Sequence, residues 1–491
     1  MVSTYMDSFL SVLHTVGLIL LIILFFNLMI FVHELGHFLA GKWRGAYIDR
    51  FQIWFGKPIW SKTIGGVKWG IGWIPAGGFV SLPQLGDMEG IEGEATVPKD
   101  LKPLKPLDKV IIAAAGPVFS LLLAYVFACI VWVGGKHVPD VPDARVGYVM
   151  AGSPAEAAGV QAGDVITAID NKPVSKWAGN MQGVTDLVAL SENDTISLTV
   201  QRTAEDGTTT TLNINTGFTQ AETKWWQRSA MRKIGIMPYM EFNVGDICPN
   251  SPAALADITT GQKITHLNGV RIYSPQAVTE ASKSGKEMEL TLENKDGSTS
   301  TVRITPVVPS NWQGHPEAEP KLGFTWDFPT KEPRLEHPTP QEQVNQSLSW
   351  MGTSLSAILA PNSSVGVEHL SGPIGIGSSM YSILELPADR SWRILLWFAV
   401  IINVNLAVLN FLPLPVVDGG HVVLGLAEMA KGKPVEGKFL NWIMGGFIIL
   451  IMVMFIFITF KDIGDHVGGE EESTLPPPVY NASPQASTPA P

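Results

Sequence analysis

The residues best suited to chemistry are His33-Glu34-Leu35-Gly36-His37. On a helix, positions i and i+4 share one face, so both imidazoles can reach a single metal ion. Glu34 then lies beside the metal, where its carboxylate can take a proton from water. The competing reading is a pair of polar histidines at a membrane interface. Polar groups at the end of an apolar helix are costly without a partner, which favours the metal. A hydrolytic zinc site uses three protein ligands and leaves a position for water. The segment Asn410-Phe-Leu-Pro413-Leu-Pro415-Val-Val-Asp418-Gly419-Gly420 supplies a candidate third ligand, since Asp418 is the only carboxylate in or bordering its apolar run. Pro413 and Pro415 break a helix, and the two glycines permit close backbone approach. Asp418 could also be a simple helix end. His421 is an extra candidate ligand or an interfacial histidine.

The elements that must position these groups follow from the apolar runs. A membrane-spanning helix needs about 20 apolar residues. Phe9–Val32, Val110–Val133, Ile394–Val417 and Phe439–Phe460 meet this requirement without a charge. The chain of 491 residues is only 16% charged and 46% hydrophobic, against about a quarter charged in soluble domains. Its net charge of −11 argues against a nucleic-acid partner. The first run lacks a basic n-region and a small-residue cleavage site, so it reads as a span, not a cleaved signal peptide. Four spans place both termini on one side. The loop between runs one and two carries Lys42, Arg44, Arg50, Lys57, Lys62, Lys68, Lys99, Lys102 and Lys105, which makes it cytoplasmic. The termini and the long stretch between runs two and three are then outside. Runs one and three point the same way, which brings His33, His37 and Asp418 to one depth near the cytoplasmic face.

The outside stretch repeats at an offset of 98 residues: Ser153-Pro154-Ala155 against Ser251-Pro252-Ala253, Gly163 against Gly261, Ile166-Thr167 against Ile264-Thr265. Each copy reads as a strand, a helix start, a glycine turn, a strand, and a tight turn at Asp170-Asn171 or Asn268-Gly269. "GSPAEAAGVQAGDVITAIDNKPV" resembles the PDZ family, and "NSPAALADITTGQKITHLNGVRI" resembles it less closely. PDZ grooves take extended peptides as an added strand; a spacer with an empty groove is the alternative.

Between runs one and two, Phe51–Leu82 alternates apolar residues (Trp69, Ile71, Trp73) around Gly65-Gly66 and Gly77-Gly78. It reads as membrane-associated β-hairpins whose edge could pair with an unwound substrate, or which only rest on headgroups. Val344, Leu348, Met351, Leu355 and Ile358 have helical spacing. They suggest an amphipathic helix, either on the outer membrane surface or packed on the second repeat.

H-E-x-x-H in the first run, "NFLPLPVVDGG" in the third and PDZ-like repeats between runs two and three resemble the site-two protease family of intramembrane metalloproteases, most closely its bacterial RseP type. "FQIWFGK", "WIPAGGFVSL", "AAAGPVFSLLLA" and "LSGPIGI" add to the resemblance. It implies Zn2+ bound by His33, His37 and Asp418, Glu34 as catalytic base, and substrate handling by Asn410 and Pro413. Asn410 is a candidate oxyanion donor or a helix-packing hydrogen bond. Many members have Asn where this chain has Ser120, which leaves that position without an assigned role.

The expected fold is a multi-pass α-helical membrane protein with four transmembrane helices, a membrane-associated β-hairpin region and two β-rich PDZ domains. Its layout is helix one over 1–40, the cytoplasmic loop with hairpins over 41–108, and helix two over 109–136. PDZ domains cover 140–217 and 240–308, followed by an amphipathic linker over 340–385. Helix three with the aspartate covers 392–420, helix four 438–461, and a disordered tail 462–491. The expected function is an intramembrane zinc endopeptidase of a bacterial inner membrane. It would cut single-span proteins, either anti-sigma factors or signal-peptide remnants, with lipid and PDZ-bound peptides as further partners. The rival reading is a non-enzymatic PDZ receptor or scaffold with a relic metal site. A transporter is disfavoured by the lack of a second membrane half.

Overall fold

A computed structural model describes residues 2–85, 101–204, 206–329, 332–433, 437–467 and 475–481. The chain divides into two compact units. One comprises 1–138, 334–354 and 370–463, and the other 139–333, 355–369 and 464–491.

The first unit holds the long apolar helices α1 (Val2–Arg44), α2 (Pro106–Gly134), α5 (Ala388–Phe411) and, up to residue 463, α7 (Gly437–Val467), with α3 (Pro340–Leu359, up to residue 354), α4 (Pro373–Leu384) and α6 (Asp418–Lys431) between them. Among the described residues, four helices are long and apolar enough to cross a membrane: Met6–Arg44, Pro106–Gly134, Ala388–Phe411 and Ile443–Asp465. Helix α2 is central, packing against α1, α5 and α6. Ala124, Phe127 and Ala128 of α2 share a buried cluster with Ala399, Val400 and Val404 of α5. Small residues set these approaches: a Cβ on Gly36 would lie 2.4 Å from the Ala115 carbonyl oxygen of α2. Much of α7 stays open, with Ile449, Val453 and Ile456 exposed, as a lipid-facing helix requires.

Strands β1 (Arg50–Ile64) and β2 (Val67–Ser81) form the expected hairpin, folded back on itself. Phe51 pairs with both Trp69 and Val80, so β1 runs between the two halves of β2. The segment Gly78–Ser81 is therefore an edge. The reversal needs a bulge after Ile53, where Trp54 takes φ 68° and Gly56 φ 86°. The buried Gln52 amide donates to the carbonyls of Trp54 (3.0 Å) and Gly56 (2.8 Å), closing this loop. Trp54 Nε1 donates to Asn27 Oδ1 on α1 at 2.6 Å. Phe51 stacks on Trp69 at 4.4 Å, and both meet Phe38 of α1. Ile59, Trp60, Ile64 and Trp73 remain exposed.

The second unit contains two β-rich domains of matching topology. Each has a four-stranded antiparallel sheet, a separate strand pair and two short helices. The repeat explains the match. Ser153 and Ser251 both cap a short helix, accepting from the N–H of Glu156 and of Ala254 at 3.2 Å. Ile166 and Ile264 occupy equivalent core positions. Asp170-Asn171 and Asn268-Gly269 both have positive φ, as tight hairpin turns demand.

Four expectations change. Helix three is expected over 392–420 with a break at Pro413 and Pro415; α5 ends at Phe411, before those prolines, and Asp418 begins a separate helix, α6. Pro413 and Pro415 lack the N–H groups that would continue the helix. Residues 340–385 are two helices, not one linker. Val344 is buried against α2 and α5, and the Gln343 amide donates to the Ala128 carbonyl at 2.9 Å, so α3 packs on the spans. The β-rich domains run past 217 and 308. Ile236–Pro238 pairs with Val146–Val149 and Phe324–Asp327 with Asn243–Ile247, while Ile234 and Leu322 complete the cores. Finally, α7 continues to Val467, and Leu475–Asn481 of the expected disordered tail makes defined contacts. Residues 468–474 and 482–491 of that tail, and 86–100 of the basic loop after α1 with Lys99, lie outside the described residues.

Candidate metal centre

His33 and His37 sit on the same face of α1, both more than nine-tenths buried, with ring centroids 5.0 Å apart. Asp418 meets both. Its Oδ2 lies 3.2 Å from His33 Nε2, and its Oδ1 lies 3.3 Å from His37 Nε2. One ligand atom from each of the three residues lies within 4.8 Å of the others, the one such cluster among the described residues.

Neighbouring groups orient the imidazoles. His37 Nδ1 lies 2.8 Å from the Ile112 carbonyl oxygen. A carbonyl only accepts, so Nδ1 carries the proton and Nε2 presents a lone pair to the centre. His33 Nδ1 lies 3.0 Å from Ser120 Oγ. The two Nε2 atoms are 3.3 Å apart. Asp418 Oδ2 is buried and receives no hydrogen bond among the described residues. Two converging ring nitrogens beside an unsatisfied carboxylate oxygen cost free energy as they stand. A divalent cation would satisfy all three, and two nitrogens with one carboxylate is a donor set that zinc takes.

The turn before α6 holds Asp418 in place. A Cβ on Gly419 would lie 2.2 Å from the Leu412 carbonyl oxygen, and one on Gly420 the same distance from that of Leu414. Only glycine lets the start of α6 fold this tightly onto the turn. Farther along, Gly425 packs on α2, and Lys109 of α2 pairs with Glu428 at 2.9 Å. On α2, a Cβ at Gly116 would sit 2.1 Å from His37 Nε2.

Glu34 lies between the histidines and lines a cavity of about 370 Å³ with His33, His37, Asp418, Asn410 and the β2 edge Gly77–Val80. The Val80 backbone N–H bonds its carboxylate. The Asn410 side chain makes no hydrogen bond among the described residues, so the helix-packing hydrogen bond is not what the structure shows. Pro413 lies in the turn and does not line the cavity. His421 lines the cavity but stands outside the three-ligand cluster. Sequence reasoning missed Ser120, whose available signal was the lone serine in an apolar run, at helical spacing from the Gly116 that meets His37.

The family model described as Peptidase family M50 matches residues 21–454. The chain belongs to this family. M50 is the site-two protease family that the motifs resemble, and membership makes the chain a zinc metalloprotease. It is 29% identical over 452 residues to a Neisseria meningitidis protein named as a zinc metalloprotease, covering 89% of this chain and 96% of that one. It is 26% identical over 455 residues to the regulator of sigma-E protease RseP of Escherichia coli, covering 87% and 94%. The regulator of sigma E protease of Haemophilus influenzae is 27% identical over 447 residues, covering 88% and 96%.

Proposed function

We propose that this M50 protein cuts single-span membrane proteins within or next to the bilayer, with Zn2+ held by His33, His37 and Asp418 and with Glu34 as general base. One observation carries the reading: two imidazoles of α1 and the carboxylate that begins α6 converge beside Glu34 in a cavity bounded by a strand edge. When bound, zinc supplies Lewis-acid polarisation of the scissile carbonyl and acidifies water. Glu34 takes the proton from water and returns it to the leaving amine. Asn410, whose side chain has no hydrogen-bond partner among the described residues and which lines the cavity, donates to the developing oxyanion. Pro413 acts indirectly, by ending α5 so that Asn410 and Asp418 stand on separate elements.

A helical substrate hides its carbonyls in its own hydrogen bonds. The β2 edge next to Glu34 offers an unwound segment new partners by strand addition. Gly78 keeps that edge close, since a Cβ there would meet Ile30 at 2.9 Å and Glu34 at 3.5 Å. The exposed Trp60 and Trp73 suit the headgroup level.

The basic loop after α1 supports a site near the cytoplasmic face of a bacterial inner membrane, with the β-rich domains outside. Their strand order and repeat support the PDZ reading. The sigma-E regulators among the relatives support substrates of the anti-sigma type, with signal-peptide remnants as a second class. Cleavage of candidate single-span substrates by purified protein in detergent, with and without a chelator, tests the proposal. Chelator-resistant cleavage would remove the metal from the mechanism, and no cleavage of any single-span substrate would remove the substrate class.

A further inference from the structure

Residues 475–481 read Leu-Pro-Pro-Pro-Val-Tyr-Asn. Three successive prolines have no N–H groups, so Pro476–Pro478 can only accept hydrogen bonds. The second β-rich domain meets it with donors, all from the short helical turn Ser310–Trp312. Trp312 Nε1 donates to the Pro476 carbonyl at 2.8 Å, and Asn311 Nδ2 to that of Pro477 at 2.8 Å. Ser310 gives both its N–H (2.8 Å) and its hydroxyl (2.7 Å) to the Val479 carbonyl. The first N–H after the prolines, that of Val479, goes to Asn311 Oδ1 at 2.9 Å, so the Asn311 amide brackets Pro478 from both sides. Tyr480 then buries its ring, at 6% exposure, against Gly323.

This is donor-to-acceptor complementarity toward one chemical class. An indole N–H aimed at a proline carbonyl is how aromatic-lined grooves take polyproline segments, whose stiffness lowers the entropy lost on binding. We propose that Ser310, Asn311, Trp312 and the Tyr480 pocket form a binding site for proline-rich extended peptide, and that its resident ligand is the protein's own Leu475–Asn481. The site is separate from the metal centre. The same C-terminal stretch is held earlier: Asp465 at the end of α7 pairs with Arg228 at 2.5 Å, and Gly464 packs on Trp226. Of the described residues, 464–465 thus attach to the segment closing the first domain and 475–481 to the second domain.

The test uses a labelled peptide, Leu-Pro-Pro-Pro-Val-Tyr-Asn, followed by fluorescence anisotropy on purified protein. A tethered ligand has an effective concentration on the order of millimolar. The peptide should therefore bind a chain ending at Val467 at least about tenfold more tightly than the full chain. Trp312→Phe in the shortened chain should weaken binding about three- to tenfold, as loss of one hydrogen bond requires. A peptide with the prolines replaced by glycine should not bind measurably. Equal binding to both chains, or none to a shortened chain that still cuts its substrate, would overturn the proposal. If the shortened chain does not fold, the full chain answers. Ser310→Cys with Val479→Cys, with Cys129 and Cys248 replaced by alanine, should form a disulfide under mild oxidation. Adding Trp312→Phe should slow its formation; no cross-link in folded protein would overturn the proposal.

Discussion

Ser120 on α2 places its hydroxyl 3.0 Å from Nδ1 of His33 on α1, on the ring edge opposite the Nε2 that faces Asp418. It is fully buried and has His33 as its side-chain partner. Groups in this position fix ring orientation, and their loss typically costs 10- to 100-fold in metal affinity. Ser120→Ala should weaken zinc binding by about that factor, read by competition with a chromogenic chelator. Ser120→Asn, which restores a polar partner, should recover part of the loss. Unchanged affinity in the alanine variant would mean that His33 is oriented by helix packing alone.

Glu34 is not within the ligand cluster, although it lies between two of its members. Glu34→Gln should therefore keep zinc at wild-type stoichiometry while lowering turnover by at least about 10²- to 10⁴-fold. Metal content and cleavage are to be measured on the same preparation. Substantial turnover with zinc bound would assign the base elsewhere.

Asp418 supplies both oxygens that face the histidines. Asp418→Ala leaves two imidazoles, which hold zinc loosely, so metal should be lost on dialysis. His421 is the next residue in the cavity able to bind metal. Retention of zinc in Asp418→Ala, and its loss only on adding His421→Ala, would reassign the third ligand.

How much of this was legible follows from the range of each interaction. The pairing of His33 with His37 is local, set by helix geometry, and needs no fold. Asp418 was legible through topology, because two spans running in one direction fix a common depth. The end of α5 was not legible from hydropathy, since Leu412–Val417 stays apolar after Phe411 while Pro413 and Pro415 make it a turn. Apolarity records burial, not whether the buried backbone is helical. Ser120 was read as a departure from a family pattern, because its partner lies on another helix. The tail read as disordered from its Pro, Ser and Ala content. Its partner Trp312 lies 164 residues earlier than Pro476, and composition carries no record of a complementary surface so far away.

The second unit's β-rich domains enter the chain between α2 and α5, the helices that carry Ile112 and Asn410 beside the candidate metal centre. If they act as a filter, a substrate with a bulky outside domain is excluded and a trimmed stub is admitted. If they recruit, their grooves capture the new chain end of a trimmed substrate. Replacing 140–327 by a short Gly/Ser linker separates the two. A filter predicts that untrimmed substrate becomes cleavable while stub cleavage is unchanged. Recruitment predicts slower stub cleavage and continued rejection of untrimmed substrate. The filter is favoured because exclusion needs no occupied groove and the second copy departs from the peptide-binding pattern at Ala256-Asp257, where Asp257 takes φ 53°. Cleavage of full-length and truncated substrate by both enzymes is the measurement. A deleted enzyme that cuts the stub normally yet still rejects full-length substrate would place the barrier inside the membrane unit.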